Sequence, residues 1–82
     1  MTVNARERIR LFIERELDLE GTGLADDTPL LNGILDSLGL MQLVAFIEEE
    51  FDLMLDFSDV TIDHFRTLGD LERLVMDKLA SG

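Results

Sequence analysis

The chain has 82 residues with 18 acidic against 7 basic side chains, a net charge of −11, no cysteine and one histidine. Without cysteine there is no disulfide, no thiolate metal site and no thiol nucleophile, and a lone histidine cannot build a histidine metal cluster. Thirteen acids lie between Glu16 and Phe65, a stretch with no Lys or Arg, so nucleic acid and anionic lipid are repelled and partners with basic surfaces are favoured.

The length predicts a single small domain over residues 1–82, with no internal repeat and no low-complexity tract. The first residues carry no secretory apolar core and no apolar stretch is long enough to span a bilayer, so a cytoplasmic protein without membrane insertion is expected. Asn4 with Glu7 three residues later reads as a capping box. Ile9, Phe12, Ile13 and Leu17 then recur at spacings of three and four, predicting a helix from about Ala5 to Leu17 or Leu19. Leu11 sits at the edge of that stripe, and the Arg and Glu residues read as a solvated face. Gly21-Thr22-Gly23 ends the helix. The long loop to Leu35 contains Asp26-Asp27-Thr28-Pro29 but also Leu24, Leu30, Leu31, Ile34 and Leu35. A loop of this length in a small domain is either packed or functional; these side chains would pack it onto the helices and fix where Ser37 emerges.

Asp36 is the expected N-cap of a second helix that begins at Ser37 and ends near Phe51-Asp52. At about 100° per residue, Leu40, Leu43, Val44, Ile47 and Phe51 form the core side of this helix. Leu38, Met41 and Ala45 lie well off that side, bracketed by Glu48 and Glu49. Because the first stripe already fills the core role, the second is expected to bind partners. Leu53-Met54-Leu55-Asp56-Phe57 alternates like a strand but has no second strand to pair with, so it reads as an extended connector. Thr61 to Phe65 reads as a short helical turn capped by Thr61. Thr67 with Asp70 caps a last helix to about Ala80, with Leu68, Leu71, Leu74, Val75 and Leu79 as its stripe. The expected fold is all-α: a small four-helix bundle of three longer helices and one short third helix, with a long first loop.

The simplest account of Ser37 is an ordinary first helical residue beside the cap Asp36. A serine nucleophile elbow is absent, since Leu35 stands where the first glycine is required. The only candidate base, His64, lies on another element, so no catalytic residue is assigned. The acids lack the spacing of a calcium loop, and Asp26 and Asp27 read as loop-capping residues, so no metal site is assigned either. What remains is a hydroxyl at the positive end of a helix, where a phosphate-containing group is favoured. Asp36 could orient that hydroxyl, or help hold a metal, while a separate enzyme transfers such a group to it.

The run Gly33-Ile34-Leu35-Asp36-Ser37-Leu38, followed by Leu43-Val44 and then Glu48-Glu49-Glu50-Phe51, resembles the acyl and peptidyl carrier proteins. The resemblance extends over nearly the whole chain, including Asp27-Thr28-Pro29-Leu30 in the long loop. It implies that a phosphopantetheinyl transferase moves 4′-phosphopantetheine from coenzyme A onto Ser37, with Mg²⁺ serving only that reaction. The arm's thiol would then carry an acyl or aminoacyl group as a thioester, on a monomeric carrier that is itself non-catalytic. Leu38, Met41 and Ala45 become apolar anchors. Glu48 and Glu49 would meet basic surfaces of the transferase, of an acyl or aminoacyl ligase, and of a downstream transferase or synthase. Gly39 and Gln42 depart from the Asp and Glu common in fatty-acid-synthesis carriers. Gly33 to Ser37 and Thr61 to Leu68 look more like free-standing carriers of specialised pathways, such as D-alanyl or other aminoacyl carriers and discrete polyketide or nonribosomal-peptide carriers. His64 is expected half-exposed on the short helix, or bordering the arm or its cargo. Two rivals stand beside this: an acidic helical adaptor without a prosthetic group, and a small acidic metal-binding module.

Overall fold

A computed structural model describes residues 4–16, 24–31 and 33–81. Three helices are present among them: α1, Ala5–Glu16; α2, Ser37–Phe51; and α3, Leu68–Ser81, with no strand. The all-α class is as expected, and α1 packs against both other helices. None of these helices is long and apolar enough to cross a membrane.

Local hydrogen bonds start α1 and α3. Asn4 Oδ1 accepts the Glu7 N–H at 3.1 Å, which satisfies one of the unpaired donors of a helix start. The reciprocal half of the box is missing, because the Glu7 carboxylate pairs with Arg10. At α3, Thr67 Oγ1 accepts the Asp70 N–H at 3.2 Å and donates to the Asp70 carboxylate at 3.0 Å, so the cap's two side chains are joined directly. The buried faces follow the helical period. Ile9 and Ile13, joined by Ala5, meet Leu43, Ile47 and Phe51 of α2 and Leu68, Leu71, Leu74 and Val75 of α3 in one core. Phe12 and Phe46 stack beside it with ring centroids 4.2 Å apart, and Phe51 meets Phe46 edge-on. Leu11 and Leu79 are exposed. The Leu17 to Leu19 end of the first stripe and Gly21-Thr22-Gly23 lie outside the described residues.

Two expectations need correction. Glu14, read as part of a solvated face, is only 7% exposed. Arg10 lies one turn away on the same helix, and its guanidinium reaches the Glu14 carboxylate at 3.2 Å, which offsets the cost of burying an acid. The short third helix is not formed, so the four-helix count becomes three among the described residues. Thr61 to Phe65 is a run of turns in which the Phe65 N–H is shared between the carbonyls of Thr61 (3.1 Å) and Ile62 (3.3 Å). Five residues give too few bonds to repay helix nucleation. The buried Phe65 ring anchors the turn instead.

The long loop packs down as its leucines require. Leu24, Leu30 and Leu35 are buried, with Leu31 and Ile34 packed against them. Two backbone bonds clip the loop across the start of α3: Leu30 N–H to the Arg66 carbonyl at 2.8 Å and Gly69 N–H to the Asp26 carbonyl at 3.2 Å. Gly33 turns the chain at φ +107, a backbone state that side chains rarely adopt. Leu35 N–H then reaches back to the Leu30 carbonyl at 2.7 Å, and α2 starts from that closed turn.

Candidate functional site at the start of the second helix

Asp36 leaves the loop in an extended conformation, φ −96 and ψ −172. Its Oδ1 accepts the Gly39 N–H at 2.7 Å, and its carbonyl accepts the Leu40 N–H at 2.8 Å as the first bond of α2. The cap is therefore complete without Ser37. Ser37 is exposed, and among the described residues no hydrogen bond engages its hydroxyl. The first turn of α2 holds no acid, so only the Asp36 carboxylate offsets the positive helix end, and the potential at Ser37 favours an added phosphate group.

Gly39 takes a part that spacing alone did not assign. It is buried, and a Cβ there would come within 3.1 Å of Asp36 Oδ1 and 3.5 Å of Leu35 Cδ2. A bare backbone at that position lets the cap carboxylate lie close. The signal available in the sequence was a glycine three residues after an N-cap aspartate.

The residues expected to form a partner face are not gathered in one cleft. Leu38 is 67% and Met41 64% exposed, and Ala45 and Glu49 are also exposed. Met41 and Val44 form one side of a groove of about 380 Å³, closed by Leu55, Asp56, Phe57 and Val60 of the connector. Ala45 and Glu49 instead line a separate cleft toward α1, with Gln42, Phe12 and Phe46. Glu48 is half-buried and turned back on its own chain: its Oε2 accepts the Leu55 N–H at 2.9 Å. Phe57 was absent from the expected site, yet it is 99% exposed. Leu53 and Leu55 of the same segment pack on the core, so the alternation itself did not mark Phe57 as exposed.

His64 is half-buried and bonded within its own loop. Its Nδ1 lies 2.9 Å from the Asp59 carbonyl and 3.2 Å from Thr61 Oγ1, and it is not among the groove-lining residues. Asp59 is the hub of this loop. Its Oδ2 accepts the Asp56 N–H at 2.9 Å and meets Lys78 Nζ of α3 at 2.7 Å. The Lys78 bond, followed by the Asp56 N–H, holds the Asp59 carboxyl below its ordinary range, and the Asp59 bond raises the Lys78 ammonium above its own. Asp26 is tied down by Arg6 at 2.9 Å. Among the described residues no group of three His, Asp or Glu is arranged to hold a metal ion.

With that geometry in view, comparison with known proteins is informative. Residues 7–75 match the family described as phosphopantetheine attachment site. Aminoacyl carrier protein 2 of Bradyrhizobium diazoefficiens is 31% identical, aligned over 98% of this chain and 92% of its own length. The acyl carrier proteins of Caulobacter vibrioides and Phenylobacterium zucineum are 29% and 28% identical, over 90% and 92% of this chain and 94% of each relative. A family match across most of the chain, and relatives aligned over nearly their whole lengths, converge on one conclusion: the chain belongs to the phosphopantetheine-attachment family of acyl and aminoacyl carrier proteins.

Proposed function

We propose that this chain is a discrete, non-catalytic carrier with 4′-phosphopantetheine esterified to Ser37, shuttling acyl or aminoacyl groups between partner enzymes. The observation that supports this most is the division of labour at the start of α2. Asp36 carries the cap, which leaves the Ser37 hydroxyl exposed and unengaged. The hydroxyl fits the group chemically: as a transferase took up the Ser37 proton, Oγ would bond to the phosphorus of the phosphopantetheine while the pyrophosphate P–O bond of coenzyme A broke and adenosine 3′,5′-bisphosphate left, at a helix end that favours negative charge. When bound, the group supplies a terminal thiol for thioester cargo, which a chain without cysteine cannot provide. The other residues of the site position and recognise. Asp36 holds the helix start against which the ester is built. Leu38, Met41 and Ala45 offer apolar contact, and Glu49 offers charge to the basic surfaces of a transferase, a ligase and a downstream transferase or synthase.

A specialised pathway with aminoacyl, polyketide, nonribosomal-peptide or lipid cargo is favoured over primary fatty-acid synthesis. Gly39 and Gln42 support this preference, as does the printed name of the Bradyrhizobium relative. A monomer in the cytoplasm is the expected setting. Incubation with coenzyme A, Mg²⁺ and a broad-specificity phosphopantetheinyl transferase, read by intact-mass spectrometry, tests the assignment. Wild type gains one phosphopantetheine mass and Ser37→Ala gains none while keeping its helical circular dichroism. No gain on wild type, under conditions that load a control carrier, overturns the assignment and leaves the adaptor reading, in which Ser37→Ala preserves partner binding and biological activity.

A further inference from the structure

Side chains that could take an acyl group from a thioester are scarce in this chain. It has no cysteine, no tyrosine, one histidine and one lysine, Lys78. The other six cations are arginines, which keep their proton at any ordinary pH and so do not act as nucleophiles. The single lysine is in turn engaged. Its Nζ lies 2.7 Å from Asp59 Oδ2 and 3.8 Å from Asp56 Oδ2. His64 adjoins the pair through its Nδ1, 2.9 Å from the Asp59 carbonyl. The Asp59 bond holds the ammonium above the ordinary lysine range. An amine attacks only in its neutral form, so this latch silences a nucleophile as well as tying the connector to α3.

Lys78 is not sealed away. Its side chain is 26% exposed. Asp56, its second partner, lines the same groove as Met41, and Met41 follows Ser37 by about one helical turn, so the lysine lies on the Ser37 side of the helices. A neutral Nζ there would attack the thioester carbonyl carbon, form an amide and break the C–S bond. The proton lost by nitrogen would pass to the departing thiolate, and the cargo would be stranded on the chain. We propose that Asp59 and Asp56 protect the thioester cargo by holding Lys78 as their ion-pair partner, so that the chain's one side-chain amine does not take the acyl group. The proposal rests on Ser37 bearing the arm, and it gives the pair a chemical duty beyond stability.

The test loads the full chain from acetyl-coenzyme A with a broad-specificity phosphopantetheinyl transferase and follows the acetyl group by peptide mass mapping in mildly alkaline buffer. Asp59→Asn keeps an oxygen for the Asp56 N–H, so the loop persists, but it removes the charge that opposes deprotonation of Lys78. Acetylation of Lys78 is then roughly tenfold faster than in wild type, at a rate independent of protein concentration, as transfer within one molecule requires. Adding Lys78→Arg to Asp59→Asn stops this loss of cargo, which a purely structural role for the pair does not explain. Equal rates of Lys78 acetylation in wild type and Asp59→Asn, or none in either, overturn the proposal. A rate that rises with concentration also overturns it, because the arm then does not reach its own lysine. If wild type accepts no arm, the assignment of Ser37 fails, and the shielding of Lys78 is judged on the unmodified chain with acetyl-coenzyme A alone as the thioester. Faster acetylation of Asp59→Asn supports the shielding there, and equal rates overturn it.

Discussion

Asp36 and Ser37 are neighbours with opposite obligations. The Asp36 carboxylate is bound to Gly39 N–H, and its loss leaves a helix-start donor without an acceptor. Asp36→Ala should therefore cost about 1 kcal/mol, lowering the melting temperature by about 4–8 °C for a domain of this size, as read by circular dichroism. Asp36→Asn, which retains a capping oxygen, should recover most of that loss. Ser37→Ala should stay within about 0.5 kcal/mol of wild type, because no hydrogen bond of the fold depends on its hydroxyl. The two substitutions separate stability from carrier function at adjacent positions.

At the scale of elements, the end of α2 matters as much as its start. Asp52 closes the helix in the left-handed conformation, φ 53 and ψ 55, with its N–H on the Glu48 carbonyl. The Glu48 side chain then receives the Leu55 N–H, and so directs the connector toward the groove. Glu48 thus has a structural duty: Glu48→Ala should destabilise the fold by about 1 kcal/mol, seen as a lower urea midpoint. Glu48→Gln, whose amide oxygen still accepts, should lose less. Glu49, beside it, is exposed. The Asp59–Lys78 latch has a defined pH window. Asp59 is lowered in the folded chain, so its contribution is full above about pH 4 and is lost as pH falls through the lowered value. Lys78 is raised, so its contribution is full below about pH 10 and is lost as pH rises through the raised value. Amide resonances of Phe57 and Val60 should hence shift together on acidification below about pH 4.

For the whole molecule, cations and anions are unevenly shared. Arg8 pairs with Glu50, Arg6 with Asp26 and Arg66 with Asp63. Exposed pairs of this kind each add little, and a net charge of −11 remains. Self-repulsion should make the fold salt-dependent: raising ionic strength from about 0.01 M to about 0.15 M shortens the screening length from about 30 Å to about 8 Å and should raise the melting temperature. The same change should weaken docking of a basic partner, so stability and affinity move in opposite directions with salt.

What the sequence by itself determined are the features that rest on spacing along the chain. Caps at Asn4, Asp36 and Thr67, the core stripes of the three helices apart from the exposed Leu79, and Ser37 at the start of α2 were legible, because each depends on residues three or four apart. The leucines of the first loop were legible for a related reason: apolar side chains in such number must be buried wherever the loop goes. Tertiary structure alone decided the rest. Glu14 is buried, with the half-exposed Arg10 reaching over it, only because α1 is packed against its neighbours, and Glu48 turns inward because the connector folds back to meet it. Met41 and Ala45 line different clefts because one borders the connector and the other α1, and the loop that brings Phe57 to the Met41 groove is tied to α3 by the Lys78–Asp59 pair, 19 residues apart in the sequence. Such contacts follow from how packed elements meet in space, and helical periodicity carries no information about them.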